Sequence, residues 1–149
     1  MSRRTPAVPP AAATLSGSRL RLLTLLLRVS GAGLMLAFAA VLLPVDWMEA
    51  AHPWLGLGPF PRTPIVDYLA RSIAALYGFH GVFVWLVARD PVRYRTFVWF
   101  AAVMNIVFGA MMLAIDLHAG MPAIWTAIEG PAIVTMGVAI AAILGPRAR

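Results

Sequence analysis

The sequence has no cysteine and no lysine, and it holds few charged residues of any kind. Without cysteine there is no disulfide, no thiol nucleophile and no cysteine-ligated zinc or iron–sulfur cluster. Only 12% of the 149 residues are charged and 61% are hydrophobic, whereas a soluble domain carries about 25% charged and about 45–50% apolar residues. This balance excludes an ordinary soluble enzyme, a disordered protein and a fibrous repeat.

What the sequence has instead is four long apolar runs, each of about 22 residues. At 1.5 Å per residue such a run makes a helix of about 33 Å, which matches a bilayer core of about 30 Å. The runs are continuous, unlike the alternating strands of a membrane barrel. We therefore predict an all-α integral membrane protein, a four-helix bundle over residues 19–145. Its spans are residues 22–43, 65–87, 96–117 and 123–144.

The segments outside the runs differ in character. Residues 1–18 are rich in proline, alanine and serine, which predicts a disordered tail. Residues 45–64 form the longest connection and predict an outer loop with a short amphipathic helix over residues 45–52. We interpret this loop as a solvated connector with aromatic anchors, with a lid or a partner surface as the alternative. A signal-peptidase site at Ala37-Phe38-Ala39 would leave three spans, but its n-region of about 28 residues is long.

Arginine distribution predicts the orientation. Ten of the twelve arginines precede or begin the first run, separate the second from the third, or follow the fourth. The opposite side has two arginines and five of the six acids. The positive-inside rule then places both termini, and the tail, in the cytoplasm.

Four charged residues fall within the outer halves of the runs, where lipid penalises them, so they are the candidates for function. They are Asp67, Arg71, Asp116 and Glu129. Helical rise places Arg71 and Glu129 both about 7 Å above the bilayer centre. We therefore expect an ion pair, with Asp67, one turn before Arg71, as a competing partner. The favoured interpretation is that the pair only holds two helices together. The alternative is that it binds a polar substrate or a proton.

The third run predicts a helix-packing seam. Small and polar residues recur on one face at helical spacing and end at Asp116, which favours close contact with another helix. The predicted seam consists of Ala101, Asn105, Gly109 and Met112.

Pro131 interrupts the fourth run two residues after Glu129. Proline removes one helical hydrogen bond and leaves the carbonyl of Ala127 without its donor. We expect a kink there, and broken helices line many sites in membrane proteins.

Catalytic and metal-binding motifs are not found: the sequence has no P-loop, GxGxxG, GxSxG, HExxH or EF-hand loop. We predict no catalytic residues and no metal, because His118, Asp116 and Glu129 match no metal motif. A haem on His80 would need a second axial ligand. The arginines fit inner-face topology and anionic lipid rather than nucleic acid.

Several features of the layout are shared with a known family. They are Gly31 and Gly33 in a first run ending at Pro44, a proline-rich outer segment, the basic turn RDPVRYR at residues 89–95, and acids at the outer ends of later runs. Over residues 20–144 the chain resembles the DoxX-like small membrane proteins. The resemblance implies a four-helix protein of the bacterial inner membrane. Some members are membrane subunits of oxidoreductases, often alongside quinone.

Two functions remain open. The first is a non-catalytic subunit or scaffold of a larger membrane complex, packing against other subunits or a second copy within the bilayer. The alternative is a membrane protein that binds a small molecule, associates with quinone or handles protons. It would use the four charged residues Asp67, Arg71, Asp116 and Glu129. We predict no bound cofactor, with quinone or haem as alternatives, and no nucleic-acid partner.

Overall fold

The computed structural model describes residues 15–145, whose regular structure is entirely helical. The helices are α1 (Gly17–Met35), α2 (Phe38–Leu42), α3 (Val45–Trp54), α4 (Pro64–Val87), α5 (Arg95–Ala119) and α6 (Ala123–Leu144). The predicted tail lies outside the described residues except for its last four, and α1 already begins within those four.

Within residues 15–145, four helical units are long and apolar enough to cross a membrane. They are α1 together with α2, then α4, α5 and α6. The all-α fold predicted from the apolar runs is confirmed. Most of each span's surface is exposed in the isolated chain, as expected for helices that lipid surrounds. The chain thus has the helices of a multi-pass membrane protein.

The first span is broken at Leu36 and Ala37. Around the break the backbone bonds tighten to a three-residue spacing, with the amide of Ala37 donating to Leu34 and that of Ala40 to Ala37. After the break, the ring of Phe38 lies directly over Gly78 of α4, where a Cβ would come within 2.6 Å of it. The bend therefore lays α2 against α4.

The spans pack as two antiparallel helix pairs, α1–α2 with α4 and α5 with α6. Each pair is closest where glycines face each other. A Cβ on Gly81 would lie 2.6 Å from the carbonyl oxygen of Gly31, and a Cβ on Gly130 would lie 2.7 Å from that of Gly109. Glycine is required at these crossings because any side chain would strike backbone.

One buried cluster joins the two pairs, at the end of the bundle where α1 and α5 begin and α4 and α6 end. We call this the basic end, and the opposite one the acidic end. The cluster contains Leu23, Leu27, Val84, Val87, Ala88, Val98, Ala102, Ile140 and Leu144. Arg95 donates to the carbonyl oxygen of Leu144 at 2.8 Å and ties α5 to the end of α6.

The acidic end carries a cap, residues 45–63, made of α3 and the loop that follows it. Arg62 near the end of the loop pairs with Asp46, at 2.8 Å, and with Glu49 on α3. Gly56 and Gly58 have φ of 77° and 74°, a region open to glycine, so the loop doubles back over the helix.

The cap lies beside the start of α6. A Cβ on Gly56 would be 3.6 Å from the ring of Pro122, which precedes α6. His52 Nδ1 is 2.9 Å from the carbonyl oxygen of Gly58, and the His52 ring meets Phe60 edge-on. These contacts fold the cap on itself and place it against the start of α6.

Candidate functional site

Arg71 lies on α4 and joins it to the end of the first span. Its Nε donates to Asp67 Oδ1 at 2.9 Å, its Nη1 donates to the carbonyl oxygen of Val41, and its Nη2 to that of Leu43 at 3.1 Å. Val41 and Leu43 lie at the end of α2, where the last carbonyls have no helical donor. Arg71 supplies the missing donors, which is a structural role.

The expected ion pair between Arg71 and Glu129 is wrong. Arg71 pairs with Asp67 and with α2, and Glu129 accepts a hydrogen bond from Trp125 instead. Helical rise fixes the depth of a residue but leaves its direction around the helix to packing. The face of α4 that carries Arg71 turns toward α2, whereas Glu129 belongs to the other helix pair.

Glu129 lies at the wall of an open groove between the cap and α6. Its Oε2 accepts from the indole Nε1 of Trp125, one turn earlier, at 2.5 Å. Within residues 15–145, no arginine forms an ion pair with Glu129. The groove, about 520 Å³ in volume, is lined by Trp54, Leu55, Ile124, Trp125, Ile128 and Glu129. We call it the cap groove.

Asp116 is the most deeply placed charged residue of the described chain. It lies near the end of α5, only 2% exposed, and its Oδ2 has no hydrogen-bond partner in the part of the chain that the structure describes. It lines a second recess, about 400 Å³ in volume, together with Thr126, Ala127 and Pro131 of α6. We call this the α5–α6 recess. A buried carboxylate oxygen without a hydrogen-bond partner marks this recess as a candidate binding position.

The predicted seam residues of α5 differ in their burial. Gly109 is buried against α6, whereas Ala101, Asn105 and Met112 are half-buried. On α5 the closest contacts to the glycines of α6 run through Ala102, Ile106, Gly109 and Leu113. The glycines of the partner helix, Gly130 and Gly137, determine which face of α5 makes this contact.

The sequence-based candidates for function did not include the two tryptophans of the cap groove. Trp54 ends α3, and Trp125 lies in the first turn of α6. One sequence signal was available: Trp125 precedes Glu129 by four residues, a spacing that places two side chains on the same helix face.

The histidines do not form a metal centre with the acids. In residues 15–145 no three histidine, aspartate or glutamate side chains come together in a metal-binding arrangement. His80 stacks on Phe83 within α4, with ring centroids 6.5 Å apart.

No family model matches the chain, and no curated protein or solved structure is significantly similar to it. The DoxX-like resemblance therefore stays a prediction, and the function has to be argued from the geometry of the acidic end.

Proposed function

We propose that the chain is a multi-pass membrane protein with its basic end in the cytoplasm, and that it binds a small amphipathic cation in the cap groove. One observation carries the proposal: Glu129 lies in an apolar groove between two tryptophans and forms no ion pair with any arginine of residues 15–145. The orientation rests on the arginine asymmetry of the sequence.

Charge at the acidic end favours a cation. Its two arginines already have acidic partners: Arg62 pairs with Asp46 and Glu49, and Arg71 pairs with Asp67. Asp116 and Glu129 are left without a counter-charge from these arginines. A surface with this excess of acids attracts positive ligands.

The walls of the cap groove favour an apolar body on that cation. Leu55, Ile124 and Ile128 offer only hydrocarbon. The indoles of Trp54 and Trp125 add apolar area, and their faces attract cations. A hydrophobic organic cation would place its charge near Glu129 and its apolar body against these walls. Small-molecule sites commonly combine apolar walls with a few polar or charged groups in this way.

The experiment uses tetraphenylphosphonium as the probe and tryptophan fluorescence of the full chain in nanodiscs as the readout. We expect saturable quenching by tetraphenylphosphonium and none by tetraphenylborate, which has a similar shape and the opposite charge. Glu129→Gln should weaken binding by about tenfold, the change that about 1.4 kcal/mol of lost attraction produces.

Asp90→Asn is the matched control, since it removes the same charge from the basic end. Equal binding of both probes, or unchanged binding by Glu129→Gln, would overturn the proposal. The role of a non-catalytic subunit or scaffold stays a prediction, and it would gain if the probe did not bind and other membrane subunits co-purified in mild detergent.

A further inference from the structure

We propose that the α5–α6 recess is a binding site for a monovalent metal cation, of which Na⁺ is the probe, with the Asp116 carboxylate as its charged ligand. The cap groove is not needed for this inference, which rests on a different side chain and a different cavity.

The first observation is the burial of Asp116. Its side chain is 2% exposed and Oδ2 has no hydrogen-bond partner within residues 15–145. A carboxylate in apolar surroundings is costly unless a charge or a hydrogen-bond donor compensates it. The recess that Asp116 lines has room for a small ion, at about 400 Å³.

The second observation is that residues of α6 that line the same recess carry further oxygens without a helical or charged partner. Pro131 has no amide hydrogen, so the carbonyl of Ala127 lacks its helical donor. The hydroxyl of Thr126 points back to the carbonyl of Pro122, at 3.4 Å, which leaves its lone pairs free to accept. Both Thr126 and Ala127 line the recess with Asp116.

These ligands fit a hard monovalent cation. Carboxylate, carbonyl and hydroxyl oxygens are the groups that alkali and alkaline-earth ions prefer. Freed backbone carbonyls of interrupted helices bind Na⁺ in several transporters. The recess offers one carboxylate, and the described chain gathers no set of three acidic or histidine ligands of the kind that holds a divalent ion.

The recess and the cap groove lie on opposite faces of α6. Ala123, Thr126 and Ala127 face the recess, whereas Trp125 and Glu129 face the groove. At about 100° per residue these two sets point in opposite directions. An ion in the recess would therefore occupy its own site.

The test measures binding of radioactive sodium and the melting temperature of the full chain in detergent, with the strongly hydrophilic cation N-methyl-D-glucamine replacing sodium at constant ionic strength. We expect saturable sodium binding and a melting temperature that rises with sodium. Asp116→Asn should abolish both, and Asp46→Asn, at an exposed carboxylate of the cap, should leave both unchanged. Sodium binding retained by Asp116→Asn, or no binding by the unaltered chain, would overturn the proposal.

Pro131→Ala separates binding from folding. It restores the amide donor for the Ala127 carbonyl and removes a helix-breaking residue, so the melting temperature in N-methyl-D-glucamine should rise. The same substitution should weaken sodium binding several-fold, because the freed carbonyl is lost as a ligand. An unchanged sodium affinity in Pro131→Ala would show that the Ala127 carbonyl is not a ligand and would contradict the proposed site.

Discussion

Arg71 is a cationic side chain within an apolar span, and its donors go to one acid and two backbone carbonyls. Sequence reasoning identified the residue and one of its partners, Asp67. The carbonyls of Val41 and Leu43 had no sequence signal, because any residue type supplies a carbonyl. Only the packing of α2 on α4 brings them within reach.

At the scale of this residue, we expect Arg71→Met to lower the free energy of unfolding by about 2–3 kcal/mol, since bonds from a charged donor are lost and two carbonyls are left without partners. Arg62→Met is the control, because its ion pairs with Asp46 and Glu49 are exposed to solvent and therefore contribute little to stability. Denaturation by SDS in mixed micelles measures both. Equal effects of the two substitutions would contradict the role of Arg71.

A double-mutant cycle distinguishes the partners of Arg71. Combining Arg71→Met with Asp67→Asn should be non-additive, because the two side chains touch. Combining it with Glu129→Gln should be additive within about 0.5 kcal/mol, because Arg71 bonds to α2 and Asp67 instead. Strong coupling between Arg71 and Glu129 would restore the pair that helix depth alone predicted.

Glu49 gives the cap a pH dependence. The hydrogen bond from Arg62 lowers the pKa of Glu49 below its ordinary value of 4.5. Its contribution to cap stability is therefore present above that value and is lost as the pH falls through the lowered pKa. In ¹⁹F NMR of fluorotryptophan-labelled protein, we expect Trp47 and Trp54 to shift on acidification, with a midpoint that moves upward in Arg62→Gln. Trp99 at the basic end is the internal control. An unmoved midpoint would mean that the ion pair does not hold the cap.

At the scale of helices, the glycine crossings decide how tightly each pair packs. A Cβ on Gly109 would lie 2.7 Å from the carbonyl oxygen of Gly130 and 2.8 Å from the amide of Val134, both backbone atoms that cannot rotate away. Gly33 on α1 has nothing within 4 Å of the same position. Close packing therefore requires glycine at position 109, whereas position 33 has room for a side chain.

We expect Gly109→Ala to lower stability by about 1–3 kcal/mol through overpacking. Gly33→Ala should leave stability unchanged or raise it by about 0.5–1 kcal/mol, because alanine restricts the unfolded chain more than glycine does. Thermal melting in detergent compares the two. Similar losses at both positions would show that the α5–α6 crossing is placed wrongly.

The spans were predictable because length and hydropathy alone specify a membrane-crossing helix. The break in the first span was not, since Leu36 and Ala37 are ordinary helix formers and the bend follows from Phe38 meeting Gly78 some forty positions later. The face of α5 that packs on α6 was not predictable either. We predicted that Asn105 and Met112 belong to it, but both are half-buried, and the contact with α6 runs through Ala102 and Ile106. Which face of a helix packs depends on residues of its partner.

At the scale of the whole molecule, the absence of cysteine allows a direct test of orientation. Ala50 in the cap and Val92 in the α4–α5 turn are both exposed. In intact cells, a membrane-impermeant maleimide should label Ala50→Cys and not Val92→Cys if the arginine-rich turn faces the cytoplasm, as we propose. Permeabilised cells should label both variants. The reverse pattern in intact cells would invert the proposed topology.

The clamp of Arg71 on α2 also bears on how the chain enters a bilayer. A lone arginine is expensive to insert, and so are helix-end carbonyls that have no donor. In this molecule the two costs offset each other, because Arg71 of α4 donates hydrogen bonds to the carbonyl oxygens of Val41 and Leu43 at the end of α2. The first two spans are therefore best inserted together as a hairpin, with the cap as its turn. A ribosome-bound chain that ends before Arg71 would carry its first span without these donors for the carbonyls of Val41 and Leu43.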